Sequence, residues 1–127
     1  MADEFIGSRV RLEYDDQNES FSAYLPVEGV VSRRCAATTG PDDWYLVDLT
    51  EPIDYQHQIG PHFQFKRLII PRVLIRSRWS GMPLRRDTEP SVFLLLVAND
   101  QDVSTDPLDI AEFTHVCWAR CHSLHAA

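Results

Sequence analysis

The chain has no aspartate or glutamate from Tyr55 to Arg86, a run of 32 residues. Seven of its twelve basic residues lie in that run: Lys66, Arg67, Arg72, Arg76, Arg78, Arg85 and Arg86. The other five basic residues and all nineteen acidic ones lie outside it, so a protein of net charge −7 divides into a block at +7 and a remainder at −14. A pI near 5.0 argues against wholesale coating of nucleic acid or of an anionic membrane. A local anion-facing surface inside the block is compatible with it.

Other absences bound the protein further. Three cysteines, Cys35, Cys117 and Cys121, are too few and odd in number for a disulfide framework, and read as reduced thiols. No apolar run approaches the ~18 residues of a membrane span; the longest, Val92 to Ala98, is strand-sized. The opening Met1-Ala2-Asp3-Glu4 is acidic where a secretory signal is basic and then apolar. The expectation is a soluble cytoplasmic protein with no membrane contact. Phosphate-binding, dinucleotide, nucleophile-elbow and zinc-protease motifs are missing as well.

What is present reads as strand. Arg9 to Tyr14 alternates, with Val10, Leu12 and Tyr14 on one face and charges on the other. Phe21, Ala23 and Leu25 continue the pattern until Pro26. Val27 to Cys35, Trp44 to Leu49, Phe63 to Ile70 and Arg72 to Trp79 are further strands, with Pro52 and Pro71 as breaks. Pro71 marks an edge, a bulge or a bend, because proline cannot donate to a ladder. Val92 to Val97 is apolar at both parities, as a strand buried on both faces should be. From Asp106-Pro107 onward the pattern predicts a short helical turn to Ala111, then a last strand over Phe113 to Ala119. A longer helix reaching Cys121 is the competing reading.

These elements predict a mainly β protein, one globular domain over residues 1–127. The architecture expected is a small barrel or curved two-layer antiparallel sheet, SH3-like or Sm-like in general form, with one short helix near the C-terminus.

Three clusters compete as sites. On a strand, Arg72, Arg76 and Arg78 share the face opposite Val73, Ile75 and Trp79. Such a row suits phosphates, with Trp79, Trp44 or Tyr45 as stacking surfaces. The structural alternative is cross-strand pairing with Glu13, Asp48 or Glu51. His115, Cys117, Cys121, His122 and His125 form the second cluster. On a helix Cys117, Cys121 and His125 would converge on a metal, whereas on a strand Cys117 and Cys121 lie ~13 Å apart. Asp100-x-Asp102-x-Ser104-x-Asp106 opens like a calcium loop but has Thr105 in place of the glycine and Ala111 in place of the final glutamate, so it reads as an acidic turn.

The leading expectation is a non-catalytic binding module that meets a protein or an anionic, nucleic-acid-like ligand through Arg72, Arg76, Arg78, Trp79 and Trp44, with no cofactor. The alternative is a small enzyme with a His/Cys/Asp pocket near His57 and His62, metal-dependent in one version. Self-association fits either, since Val92 to Val97 needs cover on both sides.

Overall fold

The structure, a computed structural model, describes residues 5–14, 24–38, 44–59, 64–77, 84, 89–104 and 107–124; the side chains of 14, 57–59, 64–66 and 114–117 lie outside that description. Six strands are present: β1 (Arg9–Tyr14), β2 (Val27–Cys35), β3 (Trp44–Ile59), β4 (Gln64–Ser77), β5 (Ser91–Val97) and β6 (Thr114–Leu124). Each pairs antiparallel with the next, and β6 returns to β1 to close a barrel. The small antiparallel β-barrel expected from the strand rhythm is what forms. Among the described residues no helix is long and apolar enough to cross a membrane.

Period two fills the interior. Val10 and Leu12 of β1, Val47 of β3, Val73 and Ile75 of β4 and Leu94 of β5 all point inward and are buried. Phe5 seals one region of this core, packing edge-on to Tyr45 with ring centroids 5.0 Å apart. The turn that delivers it needs Gly7, at φ 89°, whose N–H donates to the Val31 carbonyl at 2.7 Å.

The prolines do not end strands as expected; β3 runs through Pro52 and β4 through Pro71. Between β3 and β4 the register jumps from Asp48↔Arg72 to Ile53↔Ile70, so residues 49–52 bulge out opposite Pro71. The bulge sits on the partner strand, and the β3–β4 register skips Pro71.

A second apolar cluster lies on the outer face of β3, β4 and β5. Leu46, Leu74, Leu95 and Val97 are buried there beneath Val103, Leu108 and Phe113. The covering segments, residues 98–104 and 107–113, form a strap. Leu108 N–H donates to the Ala36 carbonyl and Thr38 N–H to the Leu108 carbonyl, both at 2.9 Å. Leu94 and Leu96 thus face the barrel core while Leu95 and Val97 face the strap, so β5 is buried on both sides, as its composition predicted.

The expected helical turn is a single 3₁₀ turn, Ile110–Glu112, capped by Asp109, whose Oδ1 accepts from Ala111 N–H at 3.2 Å. Asp106, where that turn was expected to start, lies outside the described residues. The final strand is longer than predicted and extends to Leu124. Residues 21–23 of the expected second strand are also outside the description.

Candidate functional site

The acid-free block separates into different environments. Arg67 Nε is ion-paired to Asp54 Oδ1 at 2.7 Å on an exposed surface, a pair of small energetic weight. That contact raises the Arg67 pKa, chiefly through the hydrogen bond to Asp54. Arg72 and Arg76 share the outer face of β4, but Leu74 lies between them and is wholly buried under the strap. Their Cα atoms are therefore ~13 Å apart, with an apolar residue between. Arg78 and Trp79 lie outside the described residues.

Arg76 sits in an aromatic row that crosses the sheet. Its Cζ is 5.5 Å from the ring centroid of Trp44 on β3 and 5.0 Å from that of Phe93 on β5. Phe93 pairs in register with Arg76 on one side and with Trp118 of β6 on the other. The Phe93 and Trp118 ring centroids are 3.9 Å apart, and those of Trp44 and Phe93 are 6.5 Å apart. Cation–π contacts of this kind contribute ~0.5–2 kcal/mol each, more when desolvated. Trp44 is buried, and supports the row from beneath; Phe93 and Trp118 are half-buried and present part of their rings outward. Tyr45, the other stacking candidate, faces the barrel core.

Arg72 belongs to a groove of about 340 Å³ at the other end of Leu74. Arg33, Asp48, Asp102, Ser104 and Ser32 share its walls. Asp48 is the register partner of Arg72 across β3 and β4. Arg33 reaches the groove because β2 bulges between Val31 and Arg33. Without that extra residue, Arg33 would share the inward parity of Val31. Ser32, the residue at the bulge, donates from Oγ to the Leu46 carbonyl at 3.1 Å.

Asp102 is held by its own turn. Its Oδ1 accepts from Ser104 N–H at 2.8 Å and from Ser104 Oγ at 2.6 Å. Those two hydrogen bonds lower its pKa first, and the charges of Arg33 and Arg72 lower it further.

A second, larger groove of about 630 Å³ is lined by Glu28, Glu51 and Asp54 together with Arg11, Tyr24 and Pro52. Its predominant charge is opposite to that of the block. Glu13, one partner offered to the arginines, instead pairs with Arg11 at 3.0 Å and with His122 at 3.0 Å, and Glu89 faces the other ring nitrogen of His122 at 3.1 Å.

The C-terminal cluster lies on a strand. Extended β6 separates the Cα atoms of Cys117 and Cys121 by ~13 Å. Cys121 points into the barrel core, where burial pushes its thiol pKa up to about 12. His62 and His125 and the side chains of Cys117 and His57 are outside the description. Among the described residues, no three His, Cys, Asp or Glu side chains are grouped to hold a metal ion.

Sequence reasoning had singled out Arg72, Arg76 and Trp44 but not Arg33, Phe93 or Trp118. No protein-family model matches the chain, and no curated protein or solved structure matches it either.

Proposed function

We propose that the protein is a non-catalytic binding module that takes an anionic, nucleic-acid-like ligand on the outer face of β4, β5 and β6. The observation that carries this reading is the cross-strand row in which Arg76 lies over Phe93 and Phe93 packs on Trp118. A guanidinium beside partly exposed rings offers phosphate contact and base stacking within one patch, and base–aromatic stacking contributes ~1–3 kcal/mol per base. Arg72 lies farther along the same face of β4, beyond the strap-covered Leu74 and opposite Asp48. The barrel interior is packed with side chains, which supports recognition on the outside of the wall.

Fluorescence anisotropy with a labelled single-stranded oligonucleotide tests the reading. Association is expected to weaken with salt and to fall at least several-fold for Arg76→Glu and for Trp118→Ala, with unchanged far-UV circular dichroism. No binding up to roughly 10⁻⁴ M at low salt, the weak end of non-specific affinity, would overturn it. So would binding that ignores both substitutions.

A further inference from the structure

We propose that the groove between Arg33 and Arg72 is a site for a single phosphate-type oxyanion, and that the Asp102 carboxylate is its resident competitor. The inference rests on the reading that the outer wall takes an anion, and it specifies a second position on that wall, across β2 to β4.

Two guanidinium-bearing side chains line one groove from different strands, Arg33 from β2 and Arg72 from β4. Paired guanidinium groups of this kind match tetrahedral oxyanions through several parallel N–H donors. Arg33 Nε is closed off from solvent and has no hydrogen-bond partner. An unpaired buried donor of a charged group is costly. A small rotation of the side chain toward a bound oxyanion would give it an acceptor. The Ser32 and Ser104 hydroxyls stand in the same walls, with their single protons committed to the Leu46 carbonyl and to Asp102 Oδ1, so the arginines are the donors for an oxyanion.

Asp102 already supplies the groove with an anion. It lines the same walls, and both hydrogen bonds from Ser104 go to Oδ1, so Oδ2 takes neither of them. The side chain is exposed and belongs to the strap rather than to the barrel wall. Together with Asp48, which lines the same walls opposite Arg72, it offsets the charge of both arginines while no ligand is bound. It also repels an incoming phosphate, which must displace it or bind beside it.

The test uses the full chain and inorganic phosphate, titrated at low ionic strength by calorimetry. Asp102→Asn keeps the oxygen that accepts from Ser104 and removes only the charge. It should tighten phosphate binding by roughly 1.5- to fivefold, the scale of one exposed like charge. Adding Arg33→Gln or Arg72→Gln to that variant should abolish the gain. A second arm compares 5′-phosphorylated with 5′-hydroxyl oligonucleotide. A gain for the phosphorylated form alone identifies a terminal phosphate as the occupant, and equal gains identify backbone phosphates.

Unchanged phosphate affinity in Asp102→Asn overturns the proposal, as does a gain that survives loss of both arginines. If an arginine variant fails to fold, the Asp102→Asn titration decides alone. Oligonucleotide binding that needs Arg76 but ignores Asp102 would leave the broader reading standing and remove this one.

Discussion

Gln101 and Glu112, eleven residues apart, close the strap on itself: Gln101 Nε2 donates to the Glu112 carbonyl at 2.7 Å. The same side chain accepts from Ala98 N–H through Oε1 at 2.8 Å. One amide therefore ties the start of the strap to its end. Gln101→Ala should destabilise the protein by about 1–2 kcal/mol, the scale of losing hydrogen bonds to part-buried backbone groups. Hydrogen exchange should show lost protection at Leu108 and Thr38 before loss in β1 or β4. Uniform loss across the barrel would contradict the idea that the strap opens as a unit.

A second expectation concerns close backbone approach at Gly29, which pairs with Val10 on one side and Leu49 on the other. A Cβ there would meet the Asp48 carbonyl oxygen and come within 2.8 Å of Val47 Cγ1. Backbone and a core side chain are both hard to move. Gly29→Ala should cost about 1–3 kcal/mol, the range for overpacking a filled interior. Urea denaturation measures this, and a neutral result would show that β2 and β3 can separate without penalty.

Cys121 should behave as a buried thiol. Its pKa is pushed from 9.0 up to about 12 by desolvation. The sign follows: the unfolded chain loses this proton first, so the contribution to stability is complete below pH 9.0 and is lost as pH rises toward about 12. A Cys35→Ala, Cys117→Ala variant should react with a thiol reagent at pH 8 only as fast as it unfolds. Rapid reaction under native conditions would place the thiol outside the core.

Asp102 should titrate in the opposite sense. Its pKa is lowered from 3.8, first by the Ser104 hydrogen bonds and then by Arg33 and Arg72. Its stabilising contribution is present above that ordinary value and is lost as pH falls through the lowered one. The Ser104 amide resonance should report a midpoint below 3.8, shifting upward in Arg33→Gln. A midpoint at or above the ordinary value would mean that the turn does not hold the carboxylate.

The strands of this barrel were legible where alternation was uninterrupted. Val10 and Leu12 face inward, and the double-sided burial of Val92 to Val97 is present as expected. Pro71, read as an edge, a bulge or a bend, does lie opposite a bulge, whereas Pro52, read as a strand end, lies inside that bulge, which leaves no local signature of its extent. Arg33 was hidden for the same reason, since period two assigns it the face of Val31. The Arg76 row could not be read along the chain, because its members come from four strands and meet only through register. One signal was available: Leu74 shares the parity of Arg72 and Arg76. An apolar residue on that face, with Leu95 and Val97 also in surplus, implies an outer cover.

The return of β6 to β1 limits how a partner can engage. Every described strand has a neighbour on each side within the closed ring, but residues 53–59 of β3 and 64–70 of β4 pair only with each other and extend past β2 and β5. Strand addition, a common route to peptide capture and to aggregation alike, is blocked along the ring but not at the edges of that hairpin. On the closed ring, recognition must then be written in side chains. On such a wall, affinity can be redirected residue by residue without rebuilding the sheet.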